Sequence, residues 1–223
     1  MANPAGESRS STWPELLSLA LILTFAFSSL PAWWLSATVP REALAWLYRH
    51  HAAGWAFDGM SLLFGLLLAL PRPLRSGIRI GRIEEHWWKV LLITLVPIAL
   101  TAIVYPRLPV HPFKGASASM WFISPLAQDL VFMGYLYGRF EELAPRRLHP
   151  RVPINGALLL ASLFFTLWHA GNFLSMTPGY VLFQMAYVLI GALWVGTTRV
   201  WTGSLLYGTI VHMAANAIAW ATS

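Results

Sequence analysis

A small set of polar side chains interrupts an otherwise apolar sequence, and their types and spacing are those of acid–base chemistry. Gln128 and Asp129 are adjacent, His169 is followed by Asn172, and His212 and Asn216 stand four residues apart. An imidazole can carry a proton near neutrality, a carboxylate can orient or compensate it, and a carboxamide can donate to a developing oxyanion. Residues 212 and 216, at i and i+4, share one helix face. An ionisable group inside an apolar span costs at least ~2.5–3.5 kcal/mol on insertion scales, so these groups are expected to meet in a common interior. Simpler readings stand beside this one. Asp58 reads as a hydrogen-bonded packing residue near the start of a span, and Gln184 as a bond across a helix pair. His169 with Asn172 reads equally as an interfacial cap, and His50 and His51 read as loop residues.

The elements that must position these groups are apolar runs. The chain has 223 residues, 57% apolar and 11% charged, against roughly 25% charged in a typical soluble domain. Mean hydropathy is +0.58. A soluble fold cannot hide that much apolar surface. The runs are continuous rather than alternating, which excludes a transmembrane β-barrel and predicts an all-α, polytopic integral membrane bundle of about seven helices. The expected spans are Leu16–Leu35, Ala52–Leu70, Trp87–Tyr105, Ala118–Phe140, Ile154–Ala170, Tyr180–Val195 and Gly203–Ala221. At about 20 residues each they take roughly 140 residues and leave no room for a sizeable soluble domain. The first run, preceded by Arg9, is either a retained span or a signal-peptide core. Residues 1–110 are read as an N-terminal membrane region of about three spans, and 111–223 as a core of about four.

The net charge of +6 is read as cationic loops on one side of the membrane, and nucleic acid is not expected as a partner. With seven spans, 11 of the 15 basic residues fall on the side of the N-terminus, leaving Arg41, Arg49, Arg107 and Lys114 on the other. The N-terminus is therefore expected in the cytoplasm and the C-terminus outside. The chain has no cysteine, which removes thiolate nucleophiles, thiolate metal sites and disulfides. HExxH, GxSG, GxGD and P-loop motifs are absent.

Three stretches together resemble the CPBP intramembrane proteases, which include the type II CAAX prenyl endopeptidases and bacteriocin-processing homologues. Ser124-Pro-Leu-Ala-Gln-Asp-Leu-Val-Phe-Met-Gly-Tyr-Leu resembles the first motif, usually of the form APxxEExxFRGxL. Phe165-Thr-Leu-Trp-His169 resembles FxxxH, and His212-Met-Ala-Ala-Asn216 resembles HxxxN. The resemblance covers about residues 111–222. It implies that the first-motif acid and His169 activate a water for peptide hydrolysis, and that His212 and Asn216 stabilise the oxyanion. It implies no cofactor and requires no metal, although His169, His212 and Asp129 are donors of the right kind for one. The implied partners are membrane lipid and a membrane-anchored or lipidated protein substrate, in the cytoplasmic (inner) membrane of a bacterium.

Two positions depart from the family. Gln128 stands where the first Glu is usual, and a carboxamide cannot take a proton from water near neutral pH. Asp129 is the carboxylate next to it, about 100° round the helix. Met133 stands where Arg is usual, so Asp129 is expected to lack its counter-charge. The sequence therefore carries two readings. One is an intramembrane endopeptidase using Asp129, His169, His212 and Asn216. The other is an impaired family member, marked by Gln128, that binds a substrate helix or tail without cutting it, beside an active paralogous protease. A small transporter is the weaker third class. Glu141-Glu142-Leu-Ala-Pro-Arg146 spells a similar acid–acid–basic pattern but lies past the span, and is read as a solvated loop.

Overall fold

The computed structural model describes residues 12–50, 52–108, 116–144, 147–149, 152–174 and 176–222. Arg9, His51, Lys114, Pro145, Arg146 and Arg151 lie outside the described residues, as does the expected division at 110/111. The described chain is mostly helical, with one short hairpin and an irregular segment between α3 and α4. Helix α1 is Trp13–Thr38, α2 Arg41–Arg49, α3 Ala53–Ala69 and α4 Trp87–Val104. Helix α5 is Ser119–Asp129, followed by a wide, π-wound stretch Leu130–Leu136 and by α6, Tyr137–Glu141. Strands β1, Arg147–His149, and β2, Val152–Asn155, pair antiparallel where the sequence suggested only a polar loop. Helix α7 is Gly156–Trp168, α8 Pro178–Thr202 and α9 Leu206–Ala221.

Among the described residues, three helical segments can cross a membrane by length and composition: Trp87–Arg107, Gly156–Leu174 and Pro178–Thr202. Counting each bent pair as one span raises the number to five, below the seven expected. The first pair is α1, bent by 43° about residue 28. Pro31 lacks the N–H that would close on the carbonyl four residues back, which is the usual cause of such a bend. The second pair is α2 and α3, which meet at 106°. The shortfall has local causes. Helix α9 has only 16 residues, and the π-wound stretch divides the rod from Ser119 to Glu141.

Helix α1 turns Leu16, Ala20, Leu23 and Phe27, at i, i+4, i+7 and i+11, into the core. Phe27 meets Trp168 edge-on at 5.3 Å and Phe132 at 5.7 Å. Phe132 in turn packs on Phe165 at 5.2 Å, so one aromatic cluster ties α1 to both motif-bearing helices. Helix α7 starts at Asn155, whose Oδ1 accepts from the Leu158 N–H at 2.7 Å, a side-chain cap of the ordinary kind.

Helix α8 runs farther than the sequence suggested. Arg199 was expected in a loop after Val195, but it lies in the last turn of α8 and is only 5% exposed. Its Nη1 donates to the Gly134 carbonyl at 2.8 Å, its Nη2 donates to the Arg75 carbonyl, and its guanidinium lies 4.3 Å over the Tyr137 ring. The helix stops at Gly203, whose φ of 73° is the left-handed cap that glycine supplies without strain. Residues 71–82, the basic connector between the second and third expected spans, run beneath this α8–α9 corner. Arg82 N–H donates to Thr202 O at 2.9 Å, Leu205 N–H to Gly77 O at 2.8 Å, and Arg79 Nε to Gly203 O at 2.8 Å. Gly81 is required there, because a Cβ on it would sit 2.3 Å from the Thr202 carbonyl oxygen.

Candidate active site

A cavity of about 340 Å³ opens between α4, α5, α7, α8 and α9. Gln128, Asp129, His169, His212 and Asn216 all line it, so three separate helices bring the motif residues together. Asn172 and Gln184 line it as well, and Asn172 Nδ2 donates to Gln184 Oε1 at 2.7 Å. That bond joins the turn after α7 to α8, so Gln184 does bond across helices, from within the cavity wall.

Each side chain's hydrogen bonds restrict its chemistry. His169 Nδ1 lies 3.0 Å from the Phe165 carbonyl oxygen, which can only accept. The proton of a neutral His169 is therefore on Nδ1, and Nε2 carries the lone pair. Nε2 has no protein partner among the described residues. His212 Nδ1 lies 3.1 Å from Asp129 Oδ1 and so donates to it. Asp129 is 1% exposed, and its second oxygen, Oδ2, is buried without a partner among the described residues. The partner that Met133 cannot provide for Asp129 thus comes from α9, as a hydrogen bond, rather than from the next turn of the same rod. Met133 itself does not face the cavity. It is buried beside Gly196 of α8, where a Cβ would lie 3.3 Å from its sulfur.

Gln128 Nε2 donates to Ser124 Oγ at 2.9 Å. Asn216 Nδ2 donates to the Met120 carbonyl at 3.2 Å, which fixes the end of the α9 face that carries His212. Phe165 stands between the two imidazoles, 5.0 Å from His169 and 6.0 Å from His212, centre to centre. Among the described residues no three His, Asp or Glu side chains converge to hold a metal ion. The Glu141–Glu142 pair lies away from the cavity. Glu141 accepts from Tyr137 OH at 2.9 Å, and Glu142 pairs with Arg75 and Arg139.

Sequence reasoning missed the wall formed by α4 and α8. Thr101 Oγ1 and Tyr187 OH are 2.8 Å apart across it. Trp194 Nε1 donates to the Ile93 carbonyl. The sequence held the signal for that second bond: Pro97 has no N–H to give the carbonyl four residues earlier, so Ile93 O needs another donor.

With this geometry in view, the comparison with known families is decisive for the second half of the chain. The family model described as type II CAAX prenyl endopeptidase Rce1-like matches residues 112–218. The matched stretch, just under half of the chain, supports a CAAX-protease-like family for that region. No curated protein and no solved structure matches it. The match spans all the motif residues, from Ser124 to Asn216. At family level the match supports a CAAX-protease-like membrane peptidase, and the family and the long apolar helices support an integral membrane protein.

Proposed function

We propose that the chain is an intramembrane endopeptidase that hydrolyses a peptide bond in a membrane-anchored or lipidated protein. The observation that carries this reading is that His169, with its Nδ1 engaged by the Phe165 carbonyl, lines one cavity with Asp129, His212 and Asn216. In the proposed reaction Nε2 takes a proton from water as the water attacks the scissile carbonyl, then returns it to the leaving amine. Gln128 Oε1 accepts a hydrogen bond from that water and orients it, a role a carboxamide can fill although it cannot act as a base. His212 donates Nδ1–H to Asp129. When its Nε2 is also protonated, the imidazolium is compensated by Asp129 and donates with the Asn216 amide to the oxyanion. Removing a single donor of this kind typically costs ~10²–10³ in rate.

The apolar part of the cavity, with Pro97, Val104, Phe183 and Val188, suits a hydrophobic substrate segment reaching the polar end. The proposal includes seven crossings, with α5 to α6 and the short α9 each counted as one. It places the N-terminus in the cytoplasm of a bacterium and the C-terminus outside its inner membrane. Reporter fusions at Ser223 test the topology. Cleavage of a co-expressed membrane substrate by wild type, and its loss in His169→Ala, test the chemistry. One observation favours the second reading, a binding protein that holds a substrate helix without cutting it: Gln128 occupies the usual base position. Co-purification of substrate with the chain and no product, with an active paralogue restoring cleavage, would select that reading.

A further inference from the structure

The cavity of the candidate site is closed at one end and open at the other. Asp129, Ala192, Val195 and Val211 form its floor and are all buried. Just beyond them the helices touch. A Cβ on Gly196 of α8 would run into the Leu158 side chain of α7, and one on Gly208 of α9 would lie 2.6 Å from the Val195 carbonyl oxygen of α8. Small residues let helices in a bilayer approach this closely, so α7, α8 and α9 leave no passage on that side. The rim is built the other way. Leu108, Met120, Asn172, Met176 and Tyr180 line it, half-buried, just past α4, at the start of α5, in the turn after α7 and at the start of α8. Leu174, in the same turn after α7, is 94% exposed.

The charges divide along the same axis. Arg72, Arg75, Arg79 and Arg82 lie in the segment beneath the α8–α9 corner, past the floor. Arg139 shares Glu142 with Arg75, and Lys89 Nζ lies 5.6 Å from the centre of the Trp201 ring, so both belong to that end. At the rim end the cations among the described residues are Arg41, Arg49 and Arg107. Helix α2 is placed there by the start of α3, where a Cβ on Gly54 would lie 2.9 Å from Ser117 Cβ, just before α5. Flanking cations are held on the cytoplasmic side, and the bias is already present from residue 71 onward, whatever number of crossings precedes it. We infer that the cavity opens outside the cytoplasm and receives an uncharged internal segment of an exported, membrane-anchored protein. A tail anchored on the cytoplasmic leaflet meets the closed floor and the packed corner instead. A segment internal to its chain suits the lining, which among the described residues has no Lys or Arg to pair with a free C-terminal carboxylate. That the segment is cut rests on the peptidase reading, whereas the side on which the cavity opens does not.

The chain has no cysteine, so single introduced cysteines report sidedness without background. The test labels the full-length protein with a membrane-impermeant maleimide at Leu174→Cys and Met176→Cys on the rim, and at Arg82→Cys and Leu148→Cys on the other end. Leu148 is 61% exposed and the Arg82 side chain 76%, so burial does not hide either position. The rim pair should be labelled in intact cells and in right-side-out vesicles. The other pair should be labelled only in inverted vesicles or after permeabilisation. Two positions at each end keep the result readable where one variant does not fold. The reverse pattern, or labelling of both pairs from one side, overturns the inference. In the cleavage arm, the co-expressed substrate should yield product when it is exported and lose that product when its export is blocked. Product from the non-exported form overturns the inference as well. Labelling needs no turnover, so the expected labelling with no cleavage by wild type removes the peptidase reading and leaves the sidedness standing.

Discussion

Two of the places where the protein buries ionisable groups use them in opposite ways. At the corner where residues 71–82 run under α8 and α9, the Arg199 guanidinium is spent on carbonyls of Gly134 and Arg75 and on the face of Tyr137. Around the cavity, by contrast, hydrogen-bonding capacity is left over. Asp129 Oδ2 is buried and unpartnered, and His169 Nε2 is free among the described residues. A fully satisfied buried polar group contributes rigidity, while an unsatisfied one costs about 1–3 kcal/mol and is kept where something else benefits. The first arrangement reads as a structural fastening and the second as a site held ready for a ligand.

That contrast fixes how variants should divide. His169→Ala should reduce cleavage by about 10³–10⁴-fold while moving the unfolding midpoint little, since only one backbone hydrogen bond is lost. A melting loss without a cleavage loss would reverse the assignment of the two regions. Asp129→Asn keeps the shape but removes the charge that holds His212. Cleavage should fall by about 10²-fold, in kcat rather than KM, and unchanged turnover would break the proposed role of the pair. Arg199→Met should act the opposite way. Two carbonyls lose their donor, stability should fall by about 3 kcal/mol in chemical or thermal unfolding, and cleavage per folded molecule should stay the same. Trp194→Phe should give the smallest effect, about 1 kcal/mol of stability from the Ile93 carbonyl left without its donor. Loss there as large as that of Arg199→Met would show that the α4–α8 wall is a second fastening rather than a light seam.

The site was more legible than the frame that holds it. His212 and Asn216 at i and i+4, with His169 and Asp129 on other runs, could be assembled from the cost of isolated polar groups in lipid, and all of them line one cavity. What could not be read was which group pairs with which. Met133 suggested that Asp129 had lost its counter-charge, because an α-helical reading puts residue 133 one turn away on nearly the same face. The π-wound stretch widens the turn there, and His212 arrives from another helix. Arg199 was misplaced for a simpler reason. Hydropathy falls at the end of α8, so the run seemed to stop at Val195, while the better signal was the Gly203 cap seven residues after Gly196. Asp58 was read as a hydrogen-bonded packing residue, but its partner, Ser119 of α5, lies 61 positions away, and sequence spacing carries no trace of that pairing. The pairing of residues 71–82 was not legible because their hydrogen-bond partners lie about 125 residues downstream.

That last separation bears on how the protein is made. A chain delivered to the membrane from its N-terminus presents residues 71–82 long before the α8–α9 corner exists. Until translation reaches the α8–α9 corner, the Arg82 amide and the Arg79 guanidinium lack the Thr202 and Gly203 carbonyls they bond in the finished protein, and stay hydrated at the membrane surface. The corner then closes on a segment already in place, as the final fastening of the nascent protein. A ribosome stalled after α7 would therefore hold a chain whose helices are inserted but whose two halves are not yet joined, and a protease added from the side of residues 71–82 would cut that chain and spare the finished one.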